Sequence, residues 1–345
     1  VPKEYYTHTF SQLEALGAKN IAQYPFGVSV TKPNDILTIC YTSGTTGNPK
    51  GAVLSHANIV AASNAIDERA PEDERSPDEV LFSYLPLAHI YERVLQAGMI
   101  SFGGALGFSQ GDPLKLLEDV GALKPTLFPG VPRVWDRIYS RVQQQVEEGG
   151  MIKSMLFNRA YKSKFDALVA GDVPKNGKLQ SMWDSIVFSK IAAALGGRVK
   201  LMASGAAPLR PEVGAFMRCA FMSHFVEGYG LTETGAALTC GSRGDTTYGH
   251  VGTPLDCNYV KLVDVPDMGY TSKDTPFPRG EVWVSGPNVF QGYYKQPDVT
   301  NEVMQVDSEG RTWFCTGDIG MWLPDGSLKI FDRKKAIFKL AQGEY

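Results

Sequence analysis

Tyr41-Thr-Ser-Gly-Thr-Thr-Gly-Asn-Pro-Lys50, followed by Gly51, sets hydroxyls at Thr42, Ser43, Thr45 and Thr46 around the glycines Gly44 and Gly47 and ends on a lysine. Backbone that bends sharply, several hydroxyl donors and one mobile cation make a loop suited to polyanions, above all a triphosphate. Upstream, Asp35-Ile-Leu-Thr-Ile-Cys40 reads as a buried strand, and downstream Ser55-His-Ala-Asn-Ile-Val-Ala-Ala62 reads as a helix capped by Ser55. The loop is therefore expected at the carboxyl end of a strand, where open α/β sheets receive their ligands. A Walker-type cradle is disfavoured: that motif needs Ser or Thr directly after Gly-Lys, whereas here Pro49 precedes Lys50 and Gly51 follows it. On its own, a stretch rich in glycine and threonine also fits a plain turn.

The 345 residues are enough for two or three domains, each with its own core. With 34 basic against 37 acidic residues, no whole-chain charge argues for nucleic acid, which is excluded as a partner. The five cysteines (Cys40, Cys219, Cys240, Cys257 and Cys315) are scattered and never form a C-x-x-C pair. Neither a disulfide scaffold nor structural zinc fits that spacing, which favours a reducing compartment. The longest apolar stretch, residues 94–108, is too short to span a bilayer and reads as core. A start at Val1 and a pattern that runs unbroken to Tyr345 point to an internal piece of a longer protein.

Apolar runs alternate with amphipathic helices from Ile36 to about Tyr229, the mark of α/β layering. Val134, Ile138, Val142 and Val146 recur every four residues behind Pro132, which suits the first turn of a helix. A lysine-rich helical excursion then occupies about residues 149–196, and the sheet resumes at Val199-Lys-Leu-Met-Ala-Ser204. Beyond Gly235 the texture becomes β-rich: Tyr259-Val-Lys-Leu-Val, Glu281-Val-Trp-Val-Ser and Ser327-Leu-Lys-Ile-Phe are short runs separated by turns.

Three further segments carry candidate chemistry. Ser204-Gly-Ala-Ala-Pro-Leu ends a strand on small residues, which let a flat ring approach the backbone, although a tight strand–helix turn has the same composition. In Glu227-Gly-Tyr-Gly-Leu-Thr-Glu-Thr-Gly, Tyr229 between glycines offers a stacking face, and Thr232 and Glu233 offer the hard oxygens that a phosphate-bridging Mg²⁺ accepts. A structural alternative makes Glu233 the cap of a local turn. In Thr316-Gly-Asp-Ile-Gly, Asp318 can accept from both ribose hydroxyls, with Arg333 of Asp332-Arg-Lys-Lys holding sugar or phosphate, although a Gly-Asp pair alone also reads as a turn.

These four segments, in this order, resemble the adenylate-forming superfamily of acyl-CoA synthetases, firefly luciferase-like enzymes and peptide-synthetase adenylation domains. The resemblance runs from about Asp35 to Tyr345. Within it the chain is most similar to the long-chain fatty-acyl-CoA synthetases, through Leu123-Lys-Pro-Thr-Leu-Phe-Pro-Gly-Val-Pro-Arg-Val-Trp135 and the ending Asp332-Arg-Lys-Lys-Ala-Ile-Phe-Lys-Leu-Ala-Gln-Gly-Glu-Tyr345. The fold implied is α/β, an acyl-CoA-synthetase-like N-terminal domain incomplete at both ends. A layered α/β sheet region would be followed by a distorted, β-barrel-like module. Its expected division is an approach segment at 1–34, an adenylate-forming core at 35–239, a β-rich part at 240–332 and a hinge with the start of a further domain at 333–345.

The activity implied is AMP-forming ligation of a long-chain fatty acid to coenzyme A, with ATP and Mg²⁺ and through an acyl-adenylate. The resemblance assigns Thr42, Ser43, Gly44, Thr45, Thr46, Gly47 and Lys50 to the phosphates, and Thr45 and Glu233 to Mg²⁺. It assigns Gly205, Ala206, Ala207 and Tyr229 to adenine, Gly230 and Thr232 to the nucleotide more generally, Asp318 and Arg333 to ribose, and His89 to the acyl pocket. Lys50, Thr232, Glu233 and Lys335 would be catalytic, with Lys335 at the hinge between half-reactions. Relatives also imply an intracellular setting, in the cytoplasm or on a cytosol-facing endoplasmic-reticulum, peroxisomal or mitochondrial membrane reached through segments outside this chain. Because the adenylation lysine of relatives lies beyond Tyr345, the chain alone is not expected to complete both half-reactions. The competing readings are a medium-chain or aryl-acid thiol ligase and a non-catalytic nucleotide- or acyl-binding relative.

Overall fold

The computed structural model describes residues 8–20, 30–42, 48–70, 75–171 and 181–334. The chain divides into two units, Val1–Asp35 and Ile36–Tyr345. In the first, α1 (Phe10–Asn20) begins on a reciprocal cap: Thr9 N donates to Gln12 Oε1 at 2.8 Å and Gln12 N to Thr9 Oγ1 at 3.3 Å.

The second unit opens with β1 (Ile36–Thr42), β2 (Lys50–Ser55), α2 (His56–Asp67), β3 (Val80–Ser83), α3 (Ile90–Ser101), β4 (Ala105–Phe108) and α4 (Leu116–Leu123). It goes on through β5 (Leu127–Gly130), α5 (Pro132–Glu148), α6 (Met151–Val169), α7 (Ser189–Ala193), β6 (Leu201–Ser204), α8 (Pro211–Phe221) and β7 (His224–Tyr229). There follow β8 (Thr239–Cys240), β9 (Thr253–Pro254), β10 (Tyr259–Val263), β11 (Arg279–Ser285), β12 (Gly292–Tyr293), α9 (Pro297–Val303), β13 (Met304–Val306), β14 (Thr312–Trp322) and β15 (Leu328–Arg333).

The α/β layering takes the form of a seven-stranded sheet in the order β4-β3-β5-β6-β7-β8-β9. Its first five strands are parallel and β8 and β9 are antiparallel. From β3 the chain goes to β4 on one side and then to β5 on the other, so the strand order reverses about β3. α5 starts on Pro132 and buries Trp135, Ile138 and Val142, as its four-residue recurrence requires. Trp135 lies edge-on between Phe128 and Phe225, with ring centroids 5.2 and 5.3 Å away. Each such ring removed from water contributes about 1.5–3 kcal/mol.

The barrel-like module consists of antiparallel sheets. One has the path β10-β11-β14-β13 with β15 also on β14, and the other is β1-β2-β12. Cys40 and Leu54 of the smaller sheet share an apolar cluster with Val282, Phe314 and Leu328 of the larger.

The hairpin corrects one expectation. β1 is not a buried strand that feeds a helix within the parallel sheet. It pairs antiparallel with β2, setting Thr42 opposite Lys50, and Ile36, Leu37 and Tyr41 are exposed. The reason is positional: β1 is an edge strand with one hydrogen-bonded neighbour, while β2 lies between β1 and β12 and is buried from Gly51 to Ser55. The candidate phosphate residues Ser43, Gly44, Thr45, Thr46 and Gly47, and the hinge residue Lys335, lie outside the described residues.

Ser55 caps α2 as expected, in exchange with Asn58: Ser55 N donates to Asn58 Oδ1 at 2.9 Å and Asn58 N donates to Ser55 Oγ at 3.2 Å. Asn58 Nδ2 also donates to the carbonyls of Pro287 and Val289 at 2.7 and 2.8 Å, tying α2 to the segment between β11 and β12. Asn58→Ala leaves these buried acceptors short of a donor and should cost about 2–4 kcal/mol in urea unfolding. Exposed Asn64→Ala on the same helix should stay within about 0.5 kcal/mol.

Candidate active site

Buried oxygen acceptors without partners are costly, so the carboxylates that the fold keeps inside mark where it spends polar groups. Asp318 is such a group, 2% exposed on β14. The β14–β15 register sets it opposite Arg333, whose Nε lies 2.8 Å from Asp318 Oδ1. On the other oxygen, Tyr229 Oη donates to Oδ2 at 2.6 Å across from the end of β7. Burial pushes the Asp318 carboxyl above its ordinary range, and the Tyr229 hydroxyl and Arg333 guanidinium pull it back. Burial and the Asp318 charge together hold the Tyr229 phenol well above its usual range, so it remains a donor.

Glu233, 7% exposed, sits on a short 3₁₀ turn, Thr232–Thr234. Its side chain does not cap that turn, because Oε1 accepts from Tyr293 Oη at 2.7 Å. The turn itself is closed by Leu231 N donating to Thr234 Oγ1 at 3.0 Å, and Phe290 N donates to the Glu233 carbonyl at 2.8 Å. Lys50 Nζ lies 5.3 Å from the Tyr293 ring centroid. Tyr293 thus stands between the lysine at the start of β2 and the carboxylate of the turn.

Backbone geometry leaves room on the sheet side. Gly205 N donates to the Gly130 carbonyl at 3.2 Å, and Ala206 has φ +71°, a left-handed conformation unusual for a residue with a Cβ. A Cβ on Gly230 would lie 2.3 Å from the Ala236 carbonyl, so glycine is required there.

One cavity of about 790 Å³ collects these groups. Lys50, His89, Thr232, Glu233, Asp318 and Arg333 line it, together with the candidate residues Thr42, Gly205, Ala206 and Gly230. The ring of Tyr229 is half-buried against the cluster of the β-rich part and, like Ala207, is not part of the lining. His89 is the exposed residue preceding α3, and its side chain caps nothing. Cys240 and Cys315 also face the cavity, but their thiols are pushed up to about 11 and about 12, chiefly by burial. Neither is a thiolate at neutral pH, so the site offers no sulfur nucleophile.

A narrower space of about 110 Å³ adjoins the cavity, sharing Ile66, Leu95, Ala203, Val226 and Cys240 with it. It continues between Leu81, Met99, Phe102 and Phe128, whose carbon surface makes up most of the lining, while Asp67, Arg69, Arg75, Glu79, Lys200 and Arg243 also border it.

Sequence reading missed Tyr293 and Glu281. Both carried a local signal: a tyrosine beside glycine in Gln291-Gly-Tyr-Tyr, and a carboxylate opening the otherwise apolar alternation of β11.

A model of the family described as AMP-binding enzyme matches residues 5–294. The chain is 51% identical over 322 residues to long chain acyl-CoA synthetase 7, peroxisomal, of Arabidopsis thaliana, covering 93% of this chain and 44% of that protein. It is 48% identical over 315 residues to long-chain-fatty-acid–CoA ligase 1 of Homo sapiens, covering 91% and 43%. The chain therefore spans less than half the length of these relatives. Among solved structures, that of ATP-bound MatB from Rhodopseudomonas palustris is similar, with a TM-score of 0.62 and 26% identity over 90% of this chain and 50% of the other. The sheet order, the cavity and a family match running from residue 5 to residue 294 agree, and the chain belongs to the AMP-binding enzyme family.

Proposed function

We propose that this chain is the nucleotide- and acyl-binding part of an ATP-dependent ligase that joins long-chain fatty acids to coenzyme A. The observation that carries the proposal is the single cavity in which a lysine, a Thr-Glu turn, a small-residue strand end and an Asp/Arg pair converge, with an apolar channel leading away.

In this reading a fatty-acid carboxylate oxygen attacks the α-phosphorus of ATP and the bond to pyrophosphate breaks, leaving an acyl-adenylate. The thiolate of coenzyme A then attacks the acyl carbonyl and AMP departs. Both steps move negative charge between oxygens, so orientation and fixed positive charge supply most of the acceleration. Lys50 offsets charge on the β- and γ-phosphates, together with Thr42 and the loop residues Ser43, Gly44, Thr45, Thr46 and Gly47. Gly205, Ala206 and Gly230 border adenine from the cavity wall, with Ala207 and Tyr229 next to them in the chain, and Asp318 and Arg333 hold ribose. His89 stands by the reacting carboxylate, and Lys335 serves as the hinge.

Among the described residues no group of three or more His, Cys, Asp or Glu side chains could hold a metal by itself. That suits Mg²⁺, which binds through one or two protein oxygens and the substrate's phosphates. Glu233 and Thr232, both facing the cavity, would hold it with Thr45, and it would supply charge neutralisation at the triphosphate.

Free thiols at all five cysteines support an intracellular setting in the cytoplasm or on a cytosol-facing membrane. Among the described residues no helix is long and apolar enough to cross a membrane. Peripheral membrane association would then rest on segments outside this chain.

In the natural-length protein, Glu233→Ala should lower oleate-dependent ATP–pyrophosphate exchange by about 100-fold or more, with AMP affinity preserved. Exchange that never depends on fatty acid, in the parent protein or the variant, would instead favour a binding protein. Leu95→Trp, at the neck shared by cavity and channel, should reduce exchange with C16–C18 acids about tenfold or more while sparing C6–C8 acids. An equal loss at all lengths would place the acyl chain elsewhere.

A further inference from the structure

Glu281 is the one carboxylate of β11, 6% exposed, and it lines the large cavity. Nothing in the proposed chemistry uses it. Its two oxygens are taken by different elements. Oε1 accepts from Gly317 N at 3.1 Å, and Oε2 accepts from Lys334 Nζ at 3.2 Å.

The first of these bonds falls on the turn that presents Asp318. Gly317 has φ +74°, and the β11–β14 register slips between Glu281 and Trp283, so β14 bulges at this point. Thr316 Oγ1 donates to the Val282 carbonyl at 2.8 Å and accepts from Asp318 N at 3.1 Å. A bulge leaves its extra backbone groups without ladder partners, and Glu281 supplies the acceptor for one of them. The second bond falls on the residue next to Arg333, the partner of Asp318. Glu281 therefore touches both sides of the Asp318–Arg333 pair without touching the pair itself.

We propose that Glu281 is a positioning residue for the nucleotide: it fixes the Thr316–Gly317–Asp318 turn and, through Lys334, the adjoining end of β15, so that Asp318 and Arg333 meet the same ribose. This inference rests on the nucleotide-binding reading of the cavity. The backbone N–H bond is the stronger half. Lys334 has a 41% exposed side chain, and an ion pair that open contributes little.

The test is calorimetric titration of the natural-length protein with AMP and with 2′,3′-dideoxy-AMP. Glu281→Ala should weaken AMP binding about tenfold or more and leave dideoxy-AMP within about twofold, because only the diol needs the aligned turn. Glu281→Gln keeps an acceptor for Gly317 and should lose only about two- to fivefold, as should Lys334→Met. The double variant Glu281→Gln/Lys334→Met should bind no worse than either single variant, since both remove one interaction. AMP binding by Glu281→Ala within twofold of the parent, or equal losses for both nucleotides, overturns the role of Glu281. If Glu281→Ala does not fold, additive losses in the double variant, or no loss in either single one, overturn it. A parent chain that binds no AMP sinks the nucleotide reading as well.

Discussion

A buried carboxylate shared by a phenol and a guanidinium holds this site together. Asp318 accepts from Tyr229 at 2.6 Å and from Arg333 at 2.8 Å, and so connects the end of β7 in the seven-stranded sheet with β14 and β15 in the antiparallel one. The bond from the Tyr229 phenol lies inside the protein and is strong and directional, whereas Arg333, with a 62% exposed side chain, adds less through its ion pair. Both contacts leave each carboxylate oxygen with a second lone pair, which a diol could use. Loss of Asp318 would leave the Tyr229 phenol and the Arg333 cation without their common acceptor. Backbone bonds between Leu328 of β15 and Val251 and Gly252 before β9, together with packing, would still join the two sheets.

The second polar join has the same logic. Tyr293 reaches Glu233 from β12, a two-residue strand that pairs with β2, where Lys50 begins. Segments from the first fifth and the last fifth of the chain are therefore covalently remote but mechanically coupled. The hairpin, β12 and the Thr232–Thr234 turn form one wall. The carboxyl ends of β6 and β7 form another, and β14 with β15 the third. Carboxylate and cationic groups face inward from the first and third, small residues line the second, and the neighbouring channel is lined mainly by carbon. Under the proposed function this division separates where charge moves from where hydrocarbon rests.

Much of this was legible in the residues. The cap at Ser55, the four-residue recurrence of α5, and the alternating strands at Tyr259, Glu281 and Leu328 each follow from local periodicity or a local hydrogen bond. What was not legible depends on partners far along the chain. β2 is Lys-Gly-Ala-Val-Leu-Ser, with no alternation to announce it, and it is a strand because β1 and β12 flank it. The hydroxyl of Tyr229 is committed to Asp318, which no reading of the Gly-Tyr-Gly triplet could foresee. In the sequence Glu281 is only the start of a short alternating run, and the bulge at Gly317 gives it a task.

The account turns on one nucleotide occupying one cavity, and a crystal structure of the chain with AMP tests that most directly. The ribose hydroxyls should lie within hydrogen-bonding distance of Asp318, with adenine beside Gly205 and Ala206 and the phosphate directed toward Lys50. AMP bound anywhere else, or with its ribose turned away from Asp318, would contradict it.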